Sequence, residues 1–378
     1  MKKRLLLVLG TRPEAIKLAP VYQALRARST YDVRLASTGQ HREMLADALA
    51  TFDIAPDYDL ALMRDAQNQS DLLSAMLPRL SEIFATFPPD CVVVQGDTAT
   101  TYGAALAAYL NRVTLAHVEA GLRTGDKFAP FPEEGYRRMV ACLADLHFAP
   151  TLQARRNLLA ESIPDSRIWV TGNTAIDAIR WVLANTSPIR TASLRFNFDS
   201  QLPRFILVTC HRRESFGGEL RSIMTAIANL AKEFASVPFI FPVHLNPQVQ
   251  QASREILRDL PNVHLCSPLD YRTFAHLLNA CHFVMTDSGG IQEEAADLGK
   301  PVLVMRRTTE RCEGVAAGTA LLAGVDSDEI QQLARRLLVD ETFYQSLAVP
   351  AKIYGNGDAA DQIATILDSA LVSSTAPG

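Results

Sequence analysis

Short polar clusters interrupt the apolar runs of this chain, and their residue types suit proton transfer and anion binding. GTRPE at 10–14 follows the first apolar run, with Lys17 about one turn further on. GDT at 96–98 follows the run at 91–94, and HVEAGLRTG at 117–125 ends the run at 114–118. PEE at 132–134 opens a helical pattern. HRRESFGG at 211–218 follows 205–209, TTER at 308–311 follows 302–304, and DSGGIQEEAADLGKP at 287–301 follows 283–285. Asp97, Glu119 and Glu133 could act as general acids or bases. Arg12, His211 and Arg311 could meet an anion.

Read singly, each cluster has an ordinary explanation. Arg-Pro is surface charge, Asp and Thr cap helices, acids at a helix start suit its dipole, and His-Arg-Arg is a solvated loop. Glu119 is harder to explain this way, because a carboxylate at the end of a buried run needs a partner. Taken together, acids dominate the first half and cations the second. This pattern implies a negatively charged ligand bound mainly by the C-terminal half, with its reacting part facing Asp97, Glu119 and Glu133. The stretch 287–301 is the phosphate candidate. Gly289 and Gly290 let backbone approach a ligand, and a helix from about residue 291 would offer N–H groups and its positive end at Ser288. Glu294 could accept from ribose hydroxyls, and Gly299 suits the left-handed residue after a helix.

The elements needed to hold these residues follow from the periodicity. Apolar strand-like runs alternate with helical spacing from end to end, which predicts α/β architecture with parallel sheets and helices on both faces. Helices are expected at 15–28, with Pro20 tolerated only near the start, and near 70–86, 100–110, 133–144 and 151–161. The pattern restarts after a polar connector at 185–204. Two Rossmann-like, doubly wound domains are therefore expected to face each other across a cleft: 1–172 with the acids, and 173–355 binding the anion. A helix at 356–372 should pack back on the first domain, and 373–378 should be a disordered tail.

At 378 residues, 48% hydrophobic and 21% charged, the chain has material for two cores. Net charge is −4 with no basic stretch, which argues against nucleic acid as a partner. The six cysteines show no metal-ligand spacing and read as reduced thiols in a cytoplasmic protein. The N-terminal apolar run spans only 5–9, too short for a signal peptide, and no run approaches a membrane span.

GTRPEAIKLAP, QHREML, GDT, HVEAGLRTGD, PEE, VTGNTAID, HRRESFG, PVHLNP, TDSGGIQEEA, LGKPVLVMR and TTER, spread from residue 10 to about 320, resemble the non-hydrolysing UDP-N-acetylglucosamine 2-epimerases. The resemblance implies a fold like that of GT-B glycosyltransferases, interconversion of UDP-GlcNAc and UDP-ManNAc, and no cofactor, neither NAD nor metal. It further implies a product destined for bacterial surface polysaccharide and a homodimer as the assembly. By the same resemblance the catalytic groups are Asp97, Glu119, Glu133 and His211. The UDP-sugar contacts are Arg12, Lys17, Phe274, Ser288, Gly289, Gly290, Glu294 and Arg311. Gln95, Tyr136, Cys210, Arg307 and Cys312 depart from the family pattern. Some members are activated by UDP-GlcNAc at a second site; Gln40 and Gln67 match it, and Glu43 and Ala66 do not.

The sugar C2 proton has no adjacent carbonyl, so an epimerase of this kind expels UDP while a carboxylate takes that proton. The result is a 2-acetamidoglucal to which UDP re-adds. The other readings of the same residues are an epimerase for a diacetamido-uronic acid UDP-sugar, a GT-B glycosyltransferase, and a UDP-sugar sensor without turnover. A transferase needs an acceptor and usually one base, and a sensor needs no acids.

Overall fold

The computed structural model describes residues 2–39, 42–63, 67–187, 204–211 and 217–373. The chain divides into two compact units, one running to Trp181 and resuming at Tyr354, the other Val182–Ile353.

In the first unit β1 (Lys3–Leu9), α1 (Arg12–Arg26), β2 (Tyr31–Ser37), α2 (Arg42–Thr51), β3 (Tyr58–Asp59), α3 (Gln69–Thr86), β4 (Cys91–Gln95) and α4 (Ala99–Leu110) come first. They are followed by β5 (Thr114–Val118), α5 (Glu133–Leu143), β6 (Leu146–Ala149), α6 (Leu152–Ala160), β7 (Ile168–Val170) and α7 (Thr174–Asn185), the last crossing into the second unit. The sheet order is β3-β2-β1-β4-β5-β6-β7, with every pair parallel. Leu5 to Leu9 are at most 1% exposed, which a central strand covered by helices on both faces requires.

The second unit contains β8 (Ile206–Thr209), α8 (Gly218–Glu233), β9 (Phe239–Pro242), α9 (Pro247–Leu257), β10 (Val263–Cys266), α10 (Tyr271–Ala280) and β11 (Phe283–Thr286). The remainder is α11 (Gly289–Asp297), β12 (Val302–Val304), α12 (Cys312–Ala316), β13 (Ala320–Leu322), α13 (Ser327–Val339) and α14 (Glu341–Leu347). Its parallel order is β10-β9-β8-β11-β12-β13. The last helix, α15 (Ala359–Ser373), belongs to the first unit and packs on α1.

Both sheets are doubly wound, as the alternation of apolar runs predicts. The order reverses between β1 and β4 in one sheet and between β8 and β11 in the other, and ligands of such sheets bind beyond the carboxyl ends at that reversal. GTRPE and GDT follow β1 and β4. Cys210-His211 and Asp287-Ser288 follow β8 and β11.

Some elements differ from expectation. α1 begins at Arg12, not residue 15, because Thr11 and Glu14 cap it. Pro20 lies in its middle, where the missing N–H is outweighed by packing of Leu18, Ala19, Val21, Tyr22 and Leu25 in the core. α11 begins at Gly289, so both glycines lie in its first turn. Gly299 has the expected left-handed backbone, φ 65°. The two-residue β3 and three-residue β13 are too short for periodicity to reveal. Most of the connector at 185–204 and the last five residues lie outside the described residues.

His117 and His147 align across β5 and β6 and are 1% and 0% exposed. His117 Nε2 lies 2.8 Å from the Gly96 carbonyl, so that nitrogen carries the proton. Burial pushes both imidazoles down to about 4. The unfolded chain therefore binds more protons between about pH 6.5 and 4, and stability is full above that window and lost as pH falls through it. Denaturant unfolding should show this loss, up to about 3 kcal/mol per imidazole, and His147→Leu should remove its share. An unchanged pH profile in that variant would contradict the assignment.

Candidate active site

The carboxyl ends of β4 and β5 carry Asp97 and Glu119. These strands are paired in register from Cys91↔Thr114 to Gln95↔Val118, and Gly96 N–H donates to the Val118 carbonyl at 3.0 Å. Glu119 has φ 64°, a left-handed conformation uncommon in a residue with a side chain. Its side chain is 8% exposed and forms an ion pair with Lys17 of α1. Asn173 Nδ2 also donates to it, at 3.1 Å. The partner that Glu119 requires is thus Lys17, which in this unit faces a carboxylate.

Asp97 Oδ2 accepts from Arg137 Nε at 2.8 Å and Nη2 at 2.7 Å. Arg137 also donates to Glu134 at 3.1 Å, and Glu134 is fully buried. Glu134 further accepts from the Thr124 N–H at 3.1 Å and Arg138 Nε at 3.4 Å. The two acids of PEE therefore divide in role. Glu133 is the half-buried first residue of α5, whereas Glu134 anchors that helix and the loop before it. Arg12 is the first residue of α1, at the carboxyl end of β1. The first unit thus gathers Arg12, Lys17, Asp97, Glu119 and Glu133 around one sheet end.

The second unit holds the other group. His211 Nδ1 lies 3.0 Å from Asp287 Oδ1, and its N–H donates to Asp287 Oδ2 at 2.8 Å. Asp287 is fully buried, and the His211 side chain is 41% exposed. Nδ1 therefore faces the carboxylate. Ser288 is the N-cap of α11, but its hydroxyl makes no capping bond; its N–H donates to Thr286 Oγ1 at 3.0 Å. A Cβ at Gly289 would lie 2.9 Å from Arg311 Cζ and 3.0 Å from Glu310 Oε1, so this glycine makes room for a guanidinium. At Gly290 nothing lies within 4 Å of that position, and only there does the bare backbone open onto space.

Arg311 is 6% exposed and already matched in charge. It donates to Glu293 Oε1 at 2.8 and 2.7 Å and to Glu310 Oε1 at 2.9 Å, and Arg306 pairs with Glu310 at 2.7 Å. Glu294 is 6% exposed and accepts from the Tyr271 hydroxyl at 2.9 Å. Phe274 lies one turn beyond Tyr271 on α10 and is buried. Among the described residues no cluster of three or more His, Cys, Asp or Glu side chains could hold a metal ion, and no helix is long and apolar enough to cross a membrane.

The family profile described as UDP-N-acetylglucosamine 2-epimerase matches residues 23–368. The chain belongs to this family. It is 47% identical over 364 residues to a UDP-N-acetylglucosamine 2-epimerase of Yersinia pestis, covering 95% of this chain and 97% of the relative. It is 46% identical to that of Bacillus subtilis, covering 96% and 94%. Among solved structures, the UDP-GlcNAc 2-epimerase from Neisseria meningitidis bound to UDP-GlcNAc superposes with TM-score 0.92 at 42% identity, over 97% of this chain and 100% of that one. A glycotransferase of kitacinnamycin, TM-score 0.66 at 12% identity, shares the fold alone.

Several residues that build this candidate site carry no strong signal in sequence. Arg137 stands four residues after Glu133 and three after Glu134, so helical spacing could have pointed to it. Asp287 heads the Ser-Gly-Gly turn but shows its role only once β8 lies beside β11. Among the departures from the family pattern, Tyr136 is 7% exposed and stacks on Tyr102 at 5.2 Å, and Cys210 is buried beside Asp287. Gln40 and Ala66 lie outside the described residues.

Breaking a buried ion pair on one side destabilises by about 3–5 kcal/mol. Glu134→Ala should therefore lower unfolding free energy by about 3 kcal/mol, while Glu133→Ala should leave it within about 1 kcal/mol. Equal losses in denaturant titrations would contradict the division of the two acids.

Proposed function

We propose that the chain interconverts UDP-GlcNAc and UDP-ManNAc by eliminating UDP and adding it back. The observation that carries this reading is the set of carboxylates Asp97 and Glu119 at strand ends and Glu133 at the start of α5, the first two ion-paired to Arg137 and Lys17. A sensor has no use for that set, and a transferase usually needs one base.

The C2 proton is too weakly acidic for simple deprotonation. Departure of UDP from C1 as a carboxylate removes this proton gives a 2-acetamidoglucal. Re-addition of UDP, with a proton delivered to the opposite face, gives the epimer. In this reading one acid of the set removes the proton and another returns it. The diphosphate is taken by Ser288, Gly289 and Gly290 at the start of α11, with Arg311 seated behind Gly289. Arg12 adds a cation. His211, with Nδ1 on Asp287, offers its other nitrogen to the leaving phosphate. Glu294 and Phe274 take the nucleoside. That the protein is a cytoplasmic homodimer without NAD or metal, feeding surface polysaccharide, rests on the family likeness.

UDP-GlcNAc incubated with the protein alone should give the anomeric NMR signal of UDP-ManNAc. Asp97→Asn, Glu119→Gln and Glu133→Gln should each lower kcat by about 10²-fold or more. No conversion without an added acceptor would overturn the reading in favour of a transferase.

A further inference from the structure

Glu14 is 1% exposed, and five donor groups lie within hydrogen-bond distance of its carboxylate. Oε2 accepts the N–H groups of Gly10 at 2.9 Å and Thr11 at 2.7 Å, and the Thr11 hydroxyl at 2.9 Å. This half is a helix-capping arrangement for α1. Oε1 does something capping does not require. It accepts the Thr98 hydroxyl at 2.5 Å and lies 3.0 Å from that of Thr101, whose one proton is shared with the Gln95 carbonyl at 2.7 Å; the two threonines lie 84 and 87 residues away beyond β4. Thr98 directly follows Asp97 and is the N-cap of α4; Arg12 stands two residues before Glu14.

We propose that Glu14 is a positioning residue that clamps the loop carrying Asp97 to the loop carrying Arg12, fixing the spacing of the two across the first sheet's reversal point. The inference rests on the epimerase reading. The surroundings support a clamp. A Cβ at Gly10 would lie 2.1 Å from Thr38 Oγ1 and 2.2 Å from Thr100 Oγ1, so the first loop is seated on the second with no room for a side chain. Those two hydroxyls bond each other at 2.9 Å. The Asp97 loop is held from its other side by His117 on the Gly96 carbonyl, and the Asp97 side chain by Arg137. The Gly10 and Thr11 N–H groups can only donate, and a glutamine would turn its amide N–H groups on the Thr98 and Thr101 hydroxyls, which can also accept, so it would exchange charge-assisted bonds for neutral ones of reversed direction. Burial pushes the carboxyl above its usual range against the pull of these bonds.

The test uses the full chain with Thr98→Val, Thr98→Ser, Glu14→Gln and the double variant Thr98→Val/Glu14→Gln. Thr98→Val removes the Thr98 bond to Glu14 together with its cap on the Thr101 N–H, and leaves the Glu14 bonds to Gly10 and Thr11 in place. It should lower kcat about tenfold or more with KM for UDP-GlcNAc within about threefold, whereas Thr98→Ser should stay within about twofold of the parent. Glu14→Gln loosens both loops and should lower kcat at least as far and raise KM. The double variant should be no slower than Glu14→Gln, because one clamp is broken only once. Amide hydrogen exchange at residues 96–99 should rise in Thr98→Val and not in Thr98→Ser, and UDP should bind all variants. Unchanged kcat and unchanged exchange in Thr98→Val, or additive losses in the double variant, would overturn the clamp. If the parent does not turn over UDP-GlcNAc, the epimerase reading fails and the exchange result alone decides the clamp. If Glu14→Gln does not fold, the Thr98 pair decides it.

Discussion

A carboxylate taken out of water must meet cations or hydrogen-bond donors, or it takes up a proton and loses its charge. This chain places several carboxylates at or near full burial around its sheet ends, with Asp97 partly buried among them, and much of its polar architecture answers that constraint. Glu119 is matched by Lys17 and Asn173, Asp97 by Arg137, and Glu134 by Arg137, Arg138 and a backbone N–H. In the second unit Asp287 is matched by His211, and Glu293 and Glu310 by Arg311 and Arg306. Glu134 meets Arg137 and Arg138 within α5, and Glu310 meets Arg306 and Arg311 within one loop, but Glu119, Asp97, Asp287 and Glu293 each meet a partner from a different element. Compensation of charge is therefore also positioning: α1 is tied to the end of β5, α5 to the end of β4, and the loop after β8 to the end of β11.

The parallel sheets make that arrangement possible. Their strands are buried on both faces, so polar side chains gather where strands end, and the reversals of strand order open the crevices those side chains line. Glu119 shows how tightly the end is specified. A left-handed backbone at a residue with a Cβ costs about 1–2 kcal/mol and persists because its surroundings hold it, here through Lys17 and Asn173. In the second unit the buried Arg311 does comparable work from behind, filling the space that Gly289 leaves beside the helix start.

Sequence patterning made the two sheets legible because apolar runs and turn residues are local signals. It also marked Asp97, Glu119 and His211 as polar residues after strands, Glu133 as an acid opening a helix, and Gly299 as a left-handed helix terminus. What it left hidden is non-local. The spacing of Thr11 and Glu14 announces a capped helix, but not that the second oxygen of Glu14 reaches Thr98 and Thr101. TTER reads as a cation for phosphate, yet Arg311 is enclosed by its neighbour Glu310 and by Glu293, which only the packing of α11 brings near. Gly-Gly at 289–290 reads as one motif, yet the two glycines answer different needs, one steric and one open to space. Pro20 was expected near a helix start and sits mid-helix because its neighbours are deep in the core.

The proposed account assigns the chemistry at C2 to carboxylates and the binding of UDP, diphosphate and nucleoside, to residues of the second unit. Its central claim is that a protein carboxylate removes the C2 proton and that a proton exchangeable with solvent is returned on the other face. NMR of UDP-GlcNAc incubated with the protein in D2O tests this most directly. The account predicts deuterium at C2 appearing in step with UDP-ManNAc. Complete epimerisation with protium retained at C2 would contradict it.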